Sequence, residues 1–225
     1  MRAAIPLIWL LLAALLTGCE AVSEGTTHIG RERLLDDMSK QLQRGEQVRF
    51  QAEYRLVGGV RATVAQQSSP TRTSYGYPGG LLIVEETERI NCDISVARPK
   101  CEVRVKTGDG QGEAFSAVTK KGLVAAPVVS ELLRIATAQP AATVKGHDTT
   151  VAGLPASCLE ILNLNDARSA IFSACVTADG VLASFSGVID GVNVDQALEQ
   201  LSLRAPDPTL FVVPAEADVV DLRQT

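Results

Sequence analysis

Residues 48–67 read VRFQAEYRLVGGVRATVAQQ, and their period decides the fold class. Val48, Phe50, Ala52, Tyr54 and Leu56 alternate with polar residues, the repeat of an extended strand with one buried face. Gly58-Gly59 breaks the run as a turn, and VRATVAQQ resumes the extended pattern. Two antiparallel strands follow from this stretch.

Upstream the period is different. Leu34, Leu35, Met38 and Leu42 recur at helical spacing between Arg31 and Arg44, so one amphipathic helix is expected, ending at Gly45. Residues 20–30, EAVSEGTTHIG, are small and polar without period and read as a tether, with His28 a solvated residue in it.

Downstream, SSPTRTSYGYPGG (68–80) is polar and reads as an exposed connection. LLIVEETERINCDI and CEVRVK return to strand character, with Arg98-Pro99-Lys100 in the loop between them. TGDGQGEAFSAVTKKG (107–122) reads as a surface loop or ragged hairpin; its glycines do not fit G-x-x-x-x-G-K-[ST], so no phosphate cradle is implied. APVVSELLRIATAQP (126–140) is helical, with Pro127 in its first turn and Pro140 beyond its end. Its apolar surface is too wide for a one-sided helix and needs a cover: the core, or a cavity that it lids. From Ala142 the chain reads as a meander, with a type I′ hairpin expected at Asp179-Gly180, a short helix at VDQALEQL (194–201) and a last strand or extended end at FVVP (211–214). The sum is an α+β fold: a single curved antiparallel sheet, a half-barrel whose concave apolar face the helices cover without filling.

The first residues concern address rather than fold. Arg2 precedes the apolar run Ala3–Leu16, and Thr17 and Gly18 follow it, the order of a signal peptide. The run is too short for a hydrocarbon core about 30 Å thick, which takes roughly 20 helical residues. LTGC, Leu16 to Cys19, resembles the lipobox of bacterial lipoproteins. The resemblance implies a signal peptide over 1–18, cleavage before Cys19 and a diacylglyceryl thioether on Cys19 Sγ; an ordinary secretory peptide containing a cysteine is the other reading. A lipidated terminus and tether (19–30) and one domain (31–225) then remain. Two or three acyl chains hold a protein on a membrane where one holds it marginally.

With Cys19 assigned to lipid, Cys92, Cys101, Cys158 and Cys175 are left of the five cysteines. An even count in an exported chain reads as two disulfides, with three connectivities open and local pairing of Cys92 with Cys101 and of Cys158 with Cys175 the simplest. Zinc is the competing reading, but no C-x-x-C is present and only His28 and His147 are available to help. A hydrophobic fraction of 46% supports a packed core, while 4% aromatic residues and a net charge of -5 argue against nucleic-acid binding.

Catalytic motifs are missing: neither G-x-S-x-G, H-E-x-x-H nor Walker A occurs, and no cofactor is implied. His147 and Asp148 are neighbours on an expected strand and point to opposite faces, which separates them as a dyad. The pairs Asp36-Asp37 and Glu85-Glu86 fit solvated faces.

This order of elements resembles the LolA/LprG-like lipoprotein family of bacterial envelopes. The shared features are the lipobox, the leading helix followed by FQAEYRLVGGVRATVAQQSSP, the central VVSELLRIA, and the meander around AGLPASC and DGVLASFSG. The pattern covers most of residues 31–213; the Gram-negative carrier in the family is soluble and unanchored, and two disulfides are not general there. The resemblance implies a cavity that holds acyl chains of lipoproteins or glycolipids, and with no catalytic constellation in the sequence an enzyme is not expected. Leu132, Leu133 and Ile135 of the central helix and Leu34, Met38 and Leu42 of the first are the residues expected to line it. The expected location is the extracytoplasmic face of the cell membrane, held through Cys19, with a lipid or glycolipid ligand. The other reading is a sensor that contacts a membrane protein through SSPTRTSYGYPGG and TGDGQGE, without lipid cargo.

Overall fold

A computed structural model describes residues 20–106, 111–166 and 168–223. Cys19 and the 1–18 signal segment lie outside these residues. Among the described residues three α-helices, α1 (Glu20–Gly45), α2 (Gln111–Thr119) and α3 (Ala126–Thr137), accompany twelve strands. The first six are β1 (Phe50–Arg55), β2 (Arg61–Ser68), β3 (Thr71–Tyr77), β4 (Gly80–Val84), β5 (Glu88–Asp93) and β6 (Lys100–Val105). After the helices come β7 (Thr143–Val151), β8 (Leu154–Leu162), β9 (Phe172–Thr177), β10 (Leu182–Ile189), β11 (Val192–Ser202) and β12 (Asp218–Asp221).

All twelve strands form one open sheet in the order β12-β6-β5-β4-β3-β2-β1-β11-β10-β9-β8-β7. It is two meanders joined where β1 pairs with β11, and every pairing is antiparallel except β12 with β6. The sheet is therefore mixed, and the class is α+β. In a flat sheet β7 and β11 would lie about 19 Å apart, four strand spacings. Their Cα atoms approach within 8 Å, so this end of the sheet bends.

One face of the sheet and the helices share a single apolar core. Leu35, Met38 and Leu42 of α1 and Val129, Leu132 and Leu133 of α3 join Phe50, Tyr54, Ile161, Phe172, Phe185 and Leu198 of the strands. α1 lies against α3 and against β7, β8 and β9. Both disulfides sit on the opposite face: Cys92–Cys101 and Cys158–Cys175 join residues in direct register on neighbouring strands, with Cα atoms 4.0 Å apart in each. The local pairing is thus the one formed. Removing the second bridge as Cys158→Ala/Cys175→Ala is expected to cost about 3 kcal/mol, the chain-entropy value for a loop of this size. Thermal unfolding of the oxidised variant beside the parent measures it, and an unchanged midpoint would show that the loop constraint contributes nothing here.

Several segments depart from the sequence reading. α1 begins at Glu20, so residues read as a tether, His28 among them, continue the helix. Residues 71–77 form β3, not an exposed connection: Thr73, Tyr75 and Tyr77 alternate with Arg72, Ser74 and Gly76, a period of two hidden by polar content. Residues 111–119 are α2, held by Phe115 and Val118, which are buried in the core; 107–110 lie outside the described residues. VDQALEQL is not helical but lies in β11, where Val194, Gln196 and Leu198 point inward and pairing on both sides overrides the helix preference of Gln, Leu and Glu. The Asp179-Gly180 hairpin forms with a three-residue loop, Gly180 N–H donating to Thr177 O at 2.9 Å, and not as a type I′ turn. That turn type is found at Asp190-Gly191, with φ of 50° and 79°. Phe211 ends a 3-10 turn, Pro208–Phe211, and the last strand is β12. No helix among the described residues is long and apolar enough to cross a membrane.

Candidate functional site

The register of β1 to β5 places one row of side chains across the sheet. Phe50 opposes Gln66, Gln66 opposes Thr73, Thr73 opposes Val84, and Val84 opposes Arg89. Residues directly opposite share a face, so the row runs from an aromatic ring through an amide, a hydroxyl and an aliphatic side chain to a guanidinium. All five line one cavity of about 910 Å³. The volume is within the usual range of small-molecule pockets.

Its other walls come from both helical regions. Leu42 and Gly45 belong to the end of α1, Phe115 to α2, and Pro127 and Val128 to the first turn of α3. Tyr54, Val64 and Tyr75 complete the inner surface. The Tyr54 hydroxyl donates to Leu182 O at 2.7 Å, and Tyr75 meets Phe115 edge-on with ring centroids 5.4 Å apart. Burial raises both phenol pKa values, first by desolvation and, for Tyr75, also through the Glu46 carboxylate. These phenols are neutral at physiological pH and present rings and hydroxyls, not charge. Gln66 donates its amide to Gly45 O and Val48 O, at 2.7 Å each, which ties β2 to the end of α1 and the turn after it.

Charge is confined to particular parts of the wall. Glu131 and Arg134 form a hydrogen-bonded pair on α3, Nε to Oε2 at 2.8 Å, which holds the Glu131 carboxyl below its ordinary range. Arg168 reaches Asp190 at 3.2 Å. Arg89 and Lys106 stand at the β5–β6 end, and Glu46 follows α1.

Of the six residues expected in a lipid cavity, Leu42 lines this one. Leu132 and Leu133 are both fully buried in the solid core, with Ile135 half-buried beside them. Leu34 and Met38 line a smaller cleft of about 300 Å³ against β7 and β8, where Leu34 packs over Gly146. The residues that sequence reasoning did not place are Tyr75 and Phe115, which lie in segments read as connections, and the charged pair Arg89 and Lys106. Phe50 and Tyr54 were visible as the inward positions of an alternating strand.

His147 and Asp148 occupy neighbouring positions of β7. Asp148 accepts a hydrogen bond from Ser157 Oγ at 3.0 Å, while His147 pairs in register with Cys158. The two are not joined as a dyad. Among the described residues no group of three His, Cys, Asp or Glu side chains is placed to hold a metal ion.

The fold is similar to that of an uncharacterized conserved protein from Thermus thermophilus, with a TM-score of 0.51 and 12% identity over 83% of this chain and 98% of that one. At that identity the likeness concerns the fold alone. No family model and no curated protein matches the chain.

Proposed function

We propose that this chain is an envelope lipoprotein, anchored through Cys19 on the extracytoplasmic membrane face, whose domain holds the apolar part of a lipid or acylated ligand as LolA/LprG-like proteins do. In this reading the bent sheet is a half-barrel and the helices roof its concave face. The observation that carries it is the space itself. A concave space of about 910 Å³ lies between the inner side chains of β1–β4 and the helices, in the size range of ligand pockets. An acyl chain entering it removes apolar surface from water on both sides, worth about 25 cal/mol per Å².

The test uses Thr73, half-buried in the middle of the cavity floor and outside the solid core. Leu132→Arg would instead bury a charge in the core and unfold the domain. The chain has one tryptophan, Trp9, inside the signal segment, so Thr73→Trp adds a sole reporter to the processed protein. The exported parent is expected to carry an organic-extractable mass in native mass spectrometry. Thr73→Trp should keep its thermal midpoint within about 3 °C, the size of a surface-like change, show blue-shifted emission, and lose most of that mass. A parent free of lipid, or a variant with undiminished lipid, overturns the reading.

A further inference from the structure

We infer that the cavity takes an amphiphile whose head donates hydrogen bonds, a hydroxyl or an ammonium, to acceptors at the α1 end; this rests on the lipid-binding reading. The centre of that end is Tyr75. Its side chain lines the cavity from the inward face of β3, the residue is only 5% exposed, and its ring is set edge-on against Phe115. Two other buried tyrosines have partners for their hydroxyls: Tyr54 donates to Leu182 O and Tyr77 to Asn91 Oδ1. Among the described residues the Tyr75 hydroxyl has none. It is not sealed in the core either, because the sealed side-chain atoms without a partner are Arg72 Nε and Thr119 Oγ1. The Tyr75 hydroxyl therefore opens on the cavity that the residue lines.

Two further acceptors flank it. Gln66 stands diagonal to Tyr75 across the β2–β3 pairing, with side-chain bases roughly 7 Å apart. Its amide N–H groups are spent on Gly45 O and Val48 O, which leaves its side-chain oxygen to accept. Glu46 follows Gly45, lines the same cavity and is near enough to act on the Tyr75 phenol. Among the described residues no hydrogen bond or ion pair engages its carboxylate. A carboxylate and an amide oxygen only accept, and a hydroxyl accepts as well as donates. A head carrying O–H or N–H groups suits all three, whereas a carboxylate or phosphate head meets a like charge and a second acceptor. The cations of the wall lie elsewhere. Arg134 is engaged by Glu131 and Arg168 by Asp190, while Arg89 and Lys106 belong to the β5–β6 end, with β4 between them and Tyr75.

The experiment is calorimetric titration of the full chain, stripped of lipid, with 1,2-decanediol, decylammonium and decyltrimethylammonium. The three probes share one tail, and the third is a cation with no hydrogen to donate. At least one of the two donors is expected to bind about ten-fold or more tightly than decyltrimethylammonium, the effect of a hydrogen bond to a buried or charged acceptor. A tighter diol assigns a hydroxyl head; a tighter decylammonium assigns an amine. Tyr75→Phe keeps the ring on Phe115 and removes only the hydroxyl. It should reduce the margin at least about three-fold and leave decyltrimethylammonium binding within about two-fold. A smaller reduction means that the margin comes from the bulk of the trimethyl head, and it overturns the inference. Binding of decyltrimethylammonium as tightly as both donors overturns it too, and either result leaves the lipid-binding reading standing. Failure of all three probes to bind overturns both.

Discussion

Arg31→Ala is expected to lower the stability of the domain by about 3 kcal/mol, or roughly 6–12 °C in thermal midpoint for a chain of this size. The Arg31 side chain leaves α1 buried and reaches the end of α3. Its Nε–H donates to Ala142 O at 3.0 Å, and a terminal nitrogen donates to Gln139 O at 2.7 Å and to Ala136 O. The last carbonyls of a helix have no partner within it, and the helix end carries partial negative charge, so a guanidinium there satisfies both needs. Hydrogen bonds to a charged group contribute about 1.5–3 kcal/mol each, and the cost of burying the cation offsets part of the sum. Truncation removes a charged donor from three carbonyls, of which Ala136 O and Gln139 O keep a backbone N–H partner. Arg31→Lys keeps the charge but loses the planar fork, and should recover about half of the loss. Denaturation of both variants beside the parent checks this; an alanine variant that melts with the parent would mean that water replaces the guanidinium at no cost.

Much of the architecture is legible because one period dominates each of its segments. β1 and β2 show alternation over their whole length, and α3 shows a helical apolar surface with prolines at its ends. The two cysteine pairs lie in consecutive strand-like segments, so register alone brings them together. Other segments hide their period. In β3 the inward face is built from Thr73, Tyr75 and Tyr77, residues whose polar atoms mask a buried surface. In β11 the inward Gln196 is fully buried, because its amide pairs with both backbone groups of Val124. A glutamine with that role carries no local mark, since its partner lies in the connection between α2 and α3. β12, Asp-Val-Val-Asp, lies beyond the last element expected from the sequence and pairs with the edge that β6 offers.

The site was less legible, for a reason specific to α3. Its apolar residues surround more than one side of the helix, and sequence does not say which side meets packed core and which meets open space. Leu132 and Leu133 turn to the core together with Val128, whereas Pro127, Glu131 and Arg134, at i, i+4 and i+7, give the side that lines the cavity. Arg89 and Lys106 are ordinary surface charges when read along the chain. Only the register that aligns Phe50, Gln66, Thr73 and Val84 with Arg89 shows that a cation ends this mixed row.

Gly180→Ala is expected to cost about 4 kcal/mol, more than its turn conformation alone explains. Gly180 has φ of 84°, a left-handed conformation that costs an alanine about 1–2 kcal/mol. A Cβ there would also stand 2.3 Å from Gln41 O and 2.5 Å from Gly45 N, both backbone atoms of α1. Neither can yield unless the helix moves away from the β9–β10 loop, which also strains the Gln41 amide bond to Thr177 O at 2.6 Å. Gly191 provides the control: φ is 79°, but nothing lies within 4 Å of its Cβ position, so Gly191→Ala should cost only about 1–2 kcal/mol. Gly45→Ala isolates the steric part, because its φ is not positive while its Cβ would meet Gly180 O at 2.1 Å. Equal losses for Gly180→Ala and Gly191→Ala would refute the close approach. Since Gly45 and Gly180 both line the cavity, the proposed lipid-binding function predicts that the two contact variants retain less lipid than the parent and that Gly191→Ala retains as much. The glycine contact that seats α1 is thus also part of the cavity wall.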